Sequence, residues 1–217
     1  MNKKISIIIS PNYKDYAEKY LVECVLSIKK QDYVGEIKIF ITDNESTEKS
    51  YEYLKSILSD AEIIRNKNND GFAKGNNDAI KKALEQWFDY IILFNMDTVV
   101  EPDCVRMMIQ TMDDEKLFLA DCPRTQFLEN CGAKISQNFF QKSPKRQLSD
   151  SLDKREIGAV QARLMLHDNK NKINSLGNVT HFLGFGYSEG YNEKMTNDKF
   201  PMTNEICYPS GAAVLFK

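Results

Sequence analysis

Two polar side chains close an apolar run in this chain: Tyr90-Ile91-Ile92-Leu93-Phe94 is followed by Asn95-Met96-Asp97. A run of that length reads as a buried strand, and a carboxylate at its tip is costly unless something there needs negative charge. Asn95 and Asp97 offer an amide and a carboxylate oxygen, which suit a hard cation that keeps several waters as well. A turn or cap ahead of Pro102 would use the same two residues. Asp43-Asn44, at the end of another apolar run, offers acceptors for the N–H of a pyrimidine base or for a ribose hydroxyl. The plainer use of Asp43-Asn44-Glu45-Ser46-Thr47 is helix capping. Asp70-Gly71-Phe72-Ala73-Lys74-Gly75-Asn76-Asn77 opens a helix whose free N–H groups and Lys74 suit an anion, and its two glycines allow close backbone approach. A helix start that simply needs a tight turn would look similar, although Gly75, Asn76 and Asn77 give this one poor intrinsic propensity.

The first half of the chain alternates the elements that must hold these groups. Ile5 to Ile9 is an apolar strand closed by Ser10-Pro11-Asn12, and Ala17, Leu21, Cys24, Val25 and Ile28 then recur at helical spacing. Ile37 to Thr42 reads as a second strand, Tyr51, Leu54, Ile57 and Leu58 as a helix face, and Ile63-Ile64 as a brief third strand. Phe72, Asn76, Ala79, Ile80, Ala83 and Trp87 set the period of a third helix. Tyr90 to Phe94 is the fourth strand, and Val105, Met108, Ile109 and Met112 mark a fourth helix. This alternation predicts an α/β fold: a Rossmann-like, mostly parallel sheet with helices on both faces. Ligands bind such sheets outside the carboxyl ends of the strands. Asn12, Asp43 and Asp97, each expected just past a strand end, should therefore line one crevice. The rhythm breaks from about Asp113 to Glu156, which reads as an insertion or mobile excursion with one short helix. Regular structure resumes at Ile157-Gly158-Ala159-Val160, and Val214-Leu215-Phe216-Lys217 reads as a strand cut short.

Composition narrows the function classes. Of 217 residues, 42% are hydrophobic and 28% charged, and the net charge is −2. That is ordinary for a soluble globular protein and argues for neither a nucleic-acid nor a membrane-surface partner. No apolar run is long enough to span a bilayer, and Met1-Asn2-Lys3-Lys4 precedes too short an apolar stretch for a signal peptide. The five cysteines form no close pair, which suggests reduced thiols in a cytoplasmic protein. Cys24 and Cys104 fall on helix faces expected to be buried. The chain has neither GxGxxG after the first strand nor GxxxxGK[ST], so neither a dinucleotide fold nor a P-loop is supported. Without GxSxG or HExxH, and with only His167 and His181, serine hydrolysis and a histidine-rich zinc site have no support.

The motifs run in a telling order: ITDNEST, NDGFAKGNN, ILFNMDTVVEP, IGAVQARL, SLGN and YPSGAAVLF. Together they resemble the family-two inverting glycosyltransferases of the GT-A fold, especially their rhamnosyltransferase-like branch, over most of the chain apart from residues 113–156. The resemblance implies a nucleotide-diphosphate-sugar donor and a glycan or lipid-linked acceptor. Residues 1–112 would be the nucleotide-sugar-binding half of a single domain, 113–156 an insertion and 157–217 the start of the acceptor-side half. Asp43 matches the family's base-holding aspartate, and Gly71, Lys74 and Asn76 fall in its loop and helix beside the donor. Asn95 and Asp97 match its metal-binding DxD motif for a divalent cation, magnesium or manganese, with Asn95 in place of the first aspartate. Pro11 and Asn12 stand where the family has Thr-Tyr-Asn. Ser175-Leu176-Gly177-Asn178-Val179-Thr180-His181 resembles its acceptor-side loop, with His181 read as an ordinary loop histidine. Gly184-Phe185-Gly186-Tyr187 supplies faces for sugar stacking. The family's catalytic base follows the SGAAVLF strand and is expected beyond Lys217, where any membrane-associating segment would also lie. Asp168 and Glu189 read as surface acids, so this chain is expected to bind donor yet transfer sugar poorly.

Two other classes compete. A nucleotidyltransferase also sets acids at strand ends, but carries a glycine-rich basic loop where this chain has Ser10-Pro11-Asn12-Tyr13. A transferase-like module that holds a nucleotide without turnover is the non-enzymatic alternative.

Overall fold

In this computed structural model the described residues are 3–113, 157–180, 185–196 and 206–217. All of them except Ile157 belong to one compact unit, assembled from two separated stretches of chain. Asp114–Ile157 makes the second unit. The expected short helix in that segment, His181 and Gly184 all lie outside the described residues.

The central sheet has six strands in the order β3-β2-β1-β4-β10-β5. β1 (Ile5–Asn12), β2 (Ile37–Asn44), β3 (Glu62–Asn66) and β4 (Tyr90–Phe94) run parallel. β10 (Ala213–Phe216) lies antiparallel between β4 and β5 (Ala159–Gln161). The final apolar segment is thus an interior strand of the sheet rather than an edge. Two small antiparallel ladders complete the fold: β6 (Leu164–Met165) with β7 (Ile173–Ser175), and β8 (Asn178–Thr180) with β9 (Gly186–Ser188).

Every residue of β1 is buried. A strand at the centre of a parallel sheet is covered on both faces, which is why it reads as a continuous apolar run. On one face Ile8 and Phe40 pack under Ala79 and Ala83 of α3 (Gly71–Glu85). α1 (Tyr16–Lys29) and α2 (Glu48–Ile57) pack on each other. All five apolar positions expected on the inner face of α1 are buried, as are all four on α4 (Cys104–Asp113). Trp87 departs from expectation. α3 ends at Glu85, and Trp87 follows at φ 58 with 87% of its surface exposed. Its spacing fits the helix period, but the chain has already turned towards β4.

The polar strand ends also differ from the sequence reading. Asn12, Asp43 and Asn44 lie within the strands, because the ladder continues past the last apolar residue. After a register shift Asn12 pairs with Asp43, and Asp43 and Asn44 pair with Arg65 and Asn66.

Candidate active site

The carboxyl ends of β1–β4 gather at one edge of the sheet. The strand order turns back between β2-β1 and β1-β4 there, the usual position for a ligand crevice. Of the expected site residues, Asp43, Asn95 and Asp97 keep a side-chain oxygen without a hydrogen-bond partner or open to solvent at this edge, and the others serve to shape it.

Asp43 is fully buried. Its Oδ1 accepts a 2.8 Å hydrogen bond from the Asn12 amide, while its Oδ2 is buried with no hydrogen-bond donor. The Arg65 Nε stands 3.6 Å from Oδ2. The capping alternative for Asp43 fails: Thr47 caps α2, its hydroxyl accepting from the Ser50 N–H. Asn12 is equally buried and fully used, also donating to the Ser50 hydroxyl and accepting from the Ala17 N–H. Asn12 therefore holds Asp43 in place and does not face a crevice as a separate contact. Pro11 is buried as well. A Cβ on Gly75 would meet its ring at 2.4 Å and the Asn44 amide at 2.9 Å. The room that Gly75 gives is thus taken by β1 and β2, not left for an anion.

The start of α3 is tied down rather than open. Lys74 pairs with Asp78 one turn on, and Asp78 also accepts from Asn66. Asn76 is buried and donates to the Phe72 carbonyl. Asn66 donates to Asn44, which in turn donates to the Gly71 carbonyl. Gly71 has φ +88 with open space around it, so backbone conformation alone calls for glycine there.

Asn95 and Asp97 sit in a loop pinned from three directions. Met96 is buried, its N–H bonded to the Ser10 hydroxyl at 2.8 Å. The Asn95 N–H reaches the Ala212 carbonyl, and the Thr98 N–H closes a turn onto the Asn95 carbonyl. Asp97 is exposed. The cost of a carboxylate at a buried strand tip is thereby avoided, since Met96 takes the buried position. Asn95 Oδ1 is buried without a partner. An orphaned amide oxygen two residues from an exposed carboxylate fits a hard cation whose coordination substrate oxygens complete. Among the described residues no cluster of three or more His, Cys, Asp or Glu stands ready to hold a metal without such help.

Asn95 and Asp97 line a cleft of about 840 Å³ that Gln161, Arg163 and His167 also line. Asp97 also lines a smaller one with Tyr20, Glu23, Val99 and His167. Neither cleft is lined by Asp43. Burial, and after it the negative charge of Asp97, push the Tyr16 hydroxyl up to about 12. Burial does the same to the Cys24 thiol, whose Sγ lies 3.8 Å from the Asn95 carbonyl. Asp168 is exposed and next to His167, and Glu189 lies beside the Gly177 turn.

Sequence reasoning missed Arg65, Ser50 and Gln161. Arg65 could have been found by asking of the third strand what was asked of the other three. Gln161 had no signal, lying in the apolar stretch IGAVQARL. Its Oε1 accepts from the Ser210 N–H at 2.6 Å, which leaves its buried Nε2 without a partner beside the larger cleft.

The family described as "Glycosyl transferase family 2" matches residues 6–194. Glycosyltransferase GlyG of Streptococcus pneumoniae serotype 4 is 29% identical over 118 residues, 53% of this chain and 37% of that protein. This chain thus spans little more than a third of that relative. Among solved structures, S. aureus TarS 1-349 in complex with UDP matches at TM-score 0.45 and 22% identity, covering 52% of this chain and 33% of that one. Mannosyltransferase PcManGT from Pyrobaculum calidifontis, in complex with GDP-Man and Mn2+, matches at TM-score 0.39 and 17% identity, covering 56% and 33%.

Proposed function

Because the chain belongs to glycosyl transferase family 2, we propose that it moves a sugar from a nucleotide-diphosphate donor to a glycan or lipid-linked acceptor, with inversion and with help from a divalent cation. The observation that carries this reading is the fully buried Asp43 with one carboxylate oxygen left without a donor. It stands at the same sheet edge as Asn95 and Asp97. One strand separates β2 from β4, so the two positions lie about 10 Å apart across the sheet. An extended nucleoside diphosphate bridges such a span, base towards Asp43 and diphosphate towards Asp97.

In this reading Asp43 accepts a hydrogen bond from the base, and Asn12 keeps that carboxylate from turning. Asn95 and Asp97 would hold magnesium or manganese. When bound, the ion supplies positive charge against the negative charge that develops on the departing diphosphate. The cleft that Asp97 shares with Gln161 and Arg163 is the side from which an acceptor approaches. The scattered free cysteines fit a reducing, cytoplasmic setting. Among the described residues no helix is long and apolar enough to cross a membrane.

The test is a thermal-shift panel of nucleotide sugars, each with manganese, followed by a transfer assay on those that bind. A ligand at ~100 times its Kd adds roughly 2.7 kcal/mol to the folded state, which a melting curve resolves. Stabilisation by at least one nucleotide sugar, absent in Asp43→Asn, is the expected result. A panel without any shift refutes the reading. Turnover separates a transferase from a domain that only holds the donor.

A further inference from the structure

Resting on the transfer reading above, we propose that the acceptor carries an apolar chain, and that this chain lies in the Asp97 cleft along a methionine-lined strip on α4 and the β5–β6 segment.

The cleft has room for more than a reacting hydroxyl. Its volume of about 840 Å³ falls within the roughly 300–1,000 Å³ that takes a complete small-molecule ligand. Two chemistries share its lining. Asn95, Asp97, Gln161 and His167 supply polar groups, and Met107, Leu164, Met165, Leu166 and Met195 supply an apolar surface.

The helix periodicity shows that this apolar surface is not the core. Val105, Ile109 and Met112 form the buried stripe of α4. Cys104, Met107 and Thr111 recur three and four residues apart on a second stripe, and all three line the cleft. A helix packed on a core by one stripe is usually polar elsewhere, so Met107 stands out. Met107, Leu164, Met165, Leu166 and Met195 are all half-buried. The fold covers one side of each and leaves another to the cleft.

The lining also separates a lipid chain from a glycan. Sugar rings are suited by flat aromatic faces, yet among the described residues no Phe, Tyr or Trp lines this cleft. The exposed rings of Tyr13, Tyr20, Tyr187 and Tyr208 lie outside it. Thioether side chains are unbranched, polarizable and adaptable, which suits a flexible alkyl or isoprenoid chain. Such a chain needs apolar area and no hydrogen-bond partners. The remaining charged residues of the cleft, Glu101, Asp103, Arg163 and Lys170, are of both signs, so they do not favour a polyanionic glycan. Arg163 in addition donates to the Met195 sulfur at 3.6 Å. The acceptor's polar end is thereby set towards Asp97 and its apolar chain towards the methionines.

The experiment titrates n-alkyl β-D-glucosides from methyl to octyl, each below micelle formation, into the whole chain with manganese and the nucleotide sugar that stabilises it most. Binding should tighten at least about twofold for each added CH₂, against roughly fourfold for complete burial. Met107→Gln combined with Met165→Gln should flatten that rise. Trp87→Gln, exposed and outside the cleft, should leave it unchanged. In the parent chain octyl glucoside, unlike methyl glucoside, should slow oxidation of Met107 and Met165 by hydrogen peroxide, read by mass spectrometry. Four results each overturn the inference and leave the donor reading standing: no rise with chain length, a rise that survives the methionine changes, a rise that Trp87→Gln abolishes, or methionines already inert to peroxide without ligand. A chain that no nucleotide sugar stabilises removes the donor reading, and this inference with it.

Discussion

The Asn12 amide donates to Asp43 across neighbouring strands at 2.8 Å, and both side chains are fully buried. Asn12 simultaneously bonds the Ser50 hydroxyl and the Ala17 N–H, so one amide joins β1, β2 and the starts of α1 and α2. The candidate base-holding carboxylate is thus set in place by the fold before any ligand arrives.

Removing that amide should weaken the fold as well as the site. Asn12→Ala leaves Asp43 Oδ1 and the Ala17 N–H buried without partners, and we expect a loss of roughly 2–3 kcal/mol. Urea unfolding followed by circular dichroism reads it as a lower midpoint at unchanged slope. An unchanged midpoint would show that this bond is not a fixture of the folded state.

Asp97 should behave in the opposite way. It is exposed, so Asp97→Asn should change stability by no more than about 0.5 kcal/mol. Calorimetry with manganese should show weak binding to the parent chain alone and tighter binding when UDP or GDP is present. The variant should lose that enhancement. Equal manganese affinity with and without nucleotide counts against a shared cation.

The two glycines flanking Lys74 should differ when replaced by alanine. At Gly75 a Cβ meets Pro11 at 2.4 Å. We expect overpacking to destabilise by about 1–3 kcal/mol, although alanine is the better helix former by about 1 kcal/mol. At Gly71 the Cβ meets nothing, and only the positive φ is strained, a cost of roughly 1–2 kcal/mol. Thermal melts of the two variants decide this, and a Gly75→Ala variant that melts above the parent chain would contradict the packing described.

The buried thiol gives a pH signature. Cys24 is raised from 9.0 to about 12, chiefly by burial, so the folded chain keeps a proton that the unfolded chain releases. Between about pH 9 and 12 the unfolded state binds fewer protons, and stability should fall by up to ~1.4 kcal/mol per pH unit from this group. Below pH 9 its contribution is flat. Cys24→Ser should reduce the slope in alkaline unfolding titrations. At pH 8, alkylation followed by mass spectrometry should mark the exposed Cys207 well before Cys24.

Much of this was legible in the sequence. The inner faces of α1 and α4 and the centres of β1, β2 and β4 follow from periodicity, because burial of a helix stripe or a strand is a local pattern written every three to four residues or in an unbroken run. Asp43, Asn95 and Asp97 were picked out by charge at the end of apolar runs, a local contrast of the same kind. What tertiary structure alone decided is how those ends meet. The ladder runs on through Asn12, Asp43 and Arg65, which apolarity could not show, since the pairing partners are 31 and 22 residues apart along the chain. The place of β10 between β4 and β5, the wedge of Gly75 on Pro11, and the forking of Arg65 onto Glu48 are likewise contacts between distant segments. A single strand's pattern states which groups are buried; it carries no record of which distant group satisfies them, and that pairing is what makes Asp43 a candidate reader of a base.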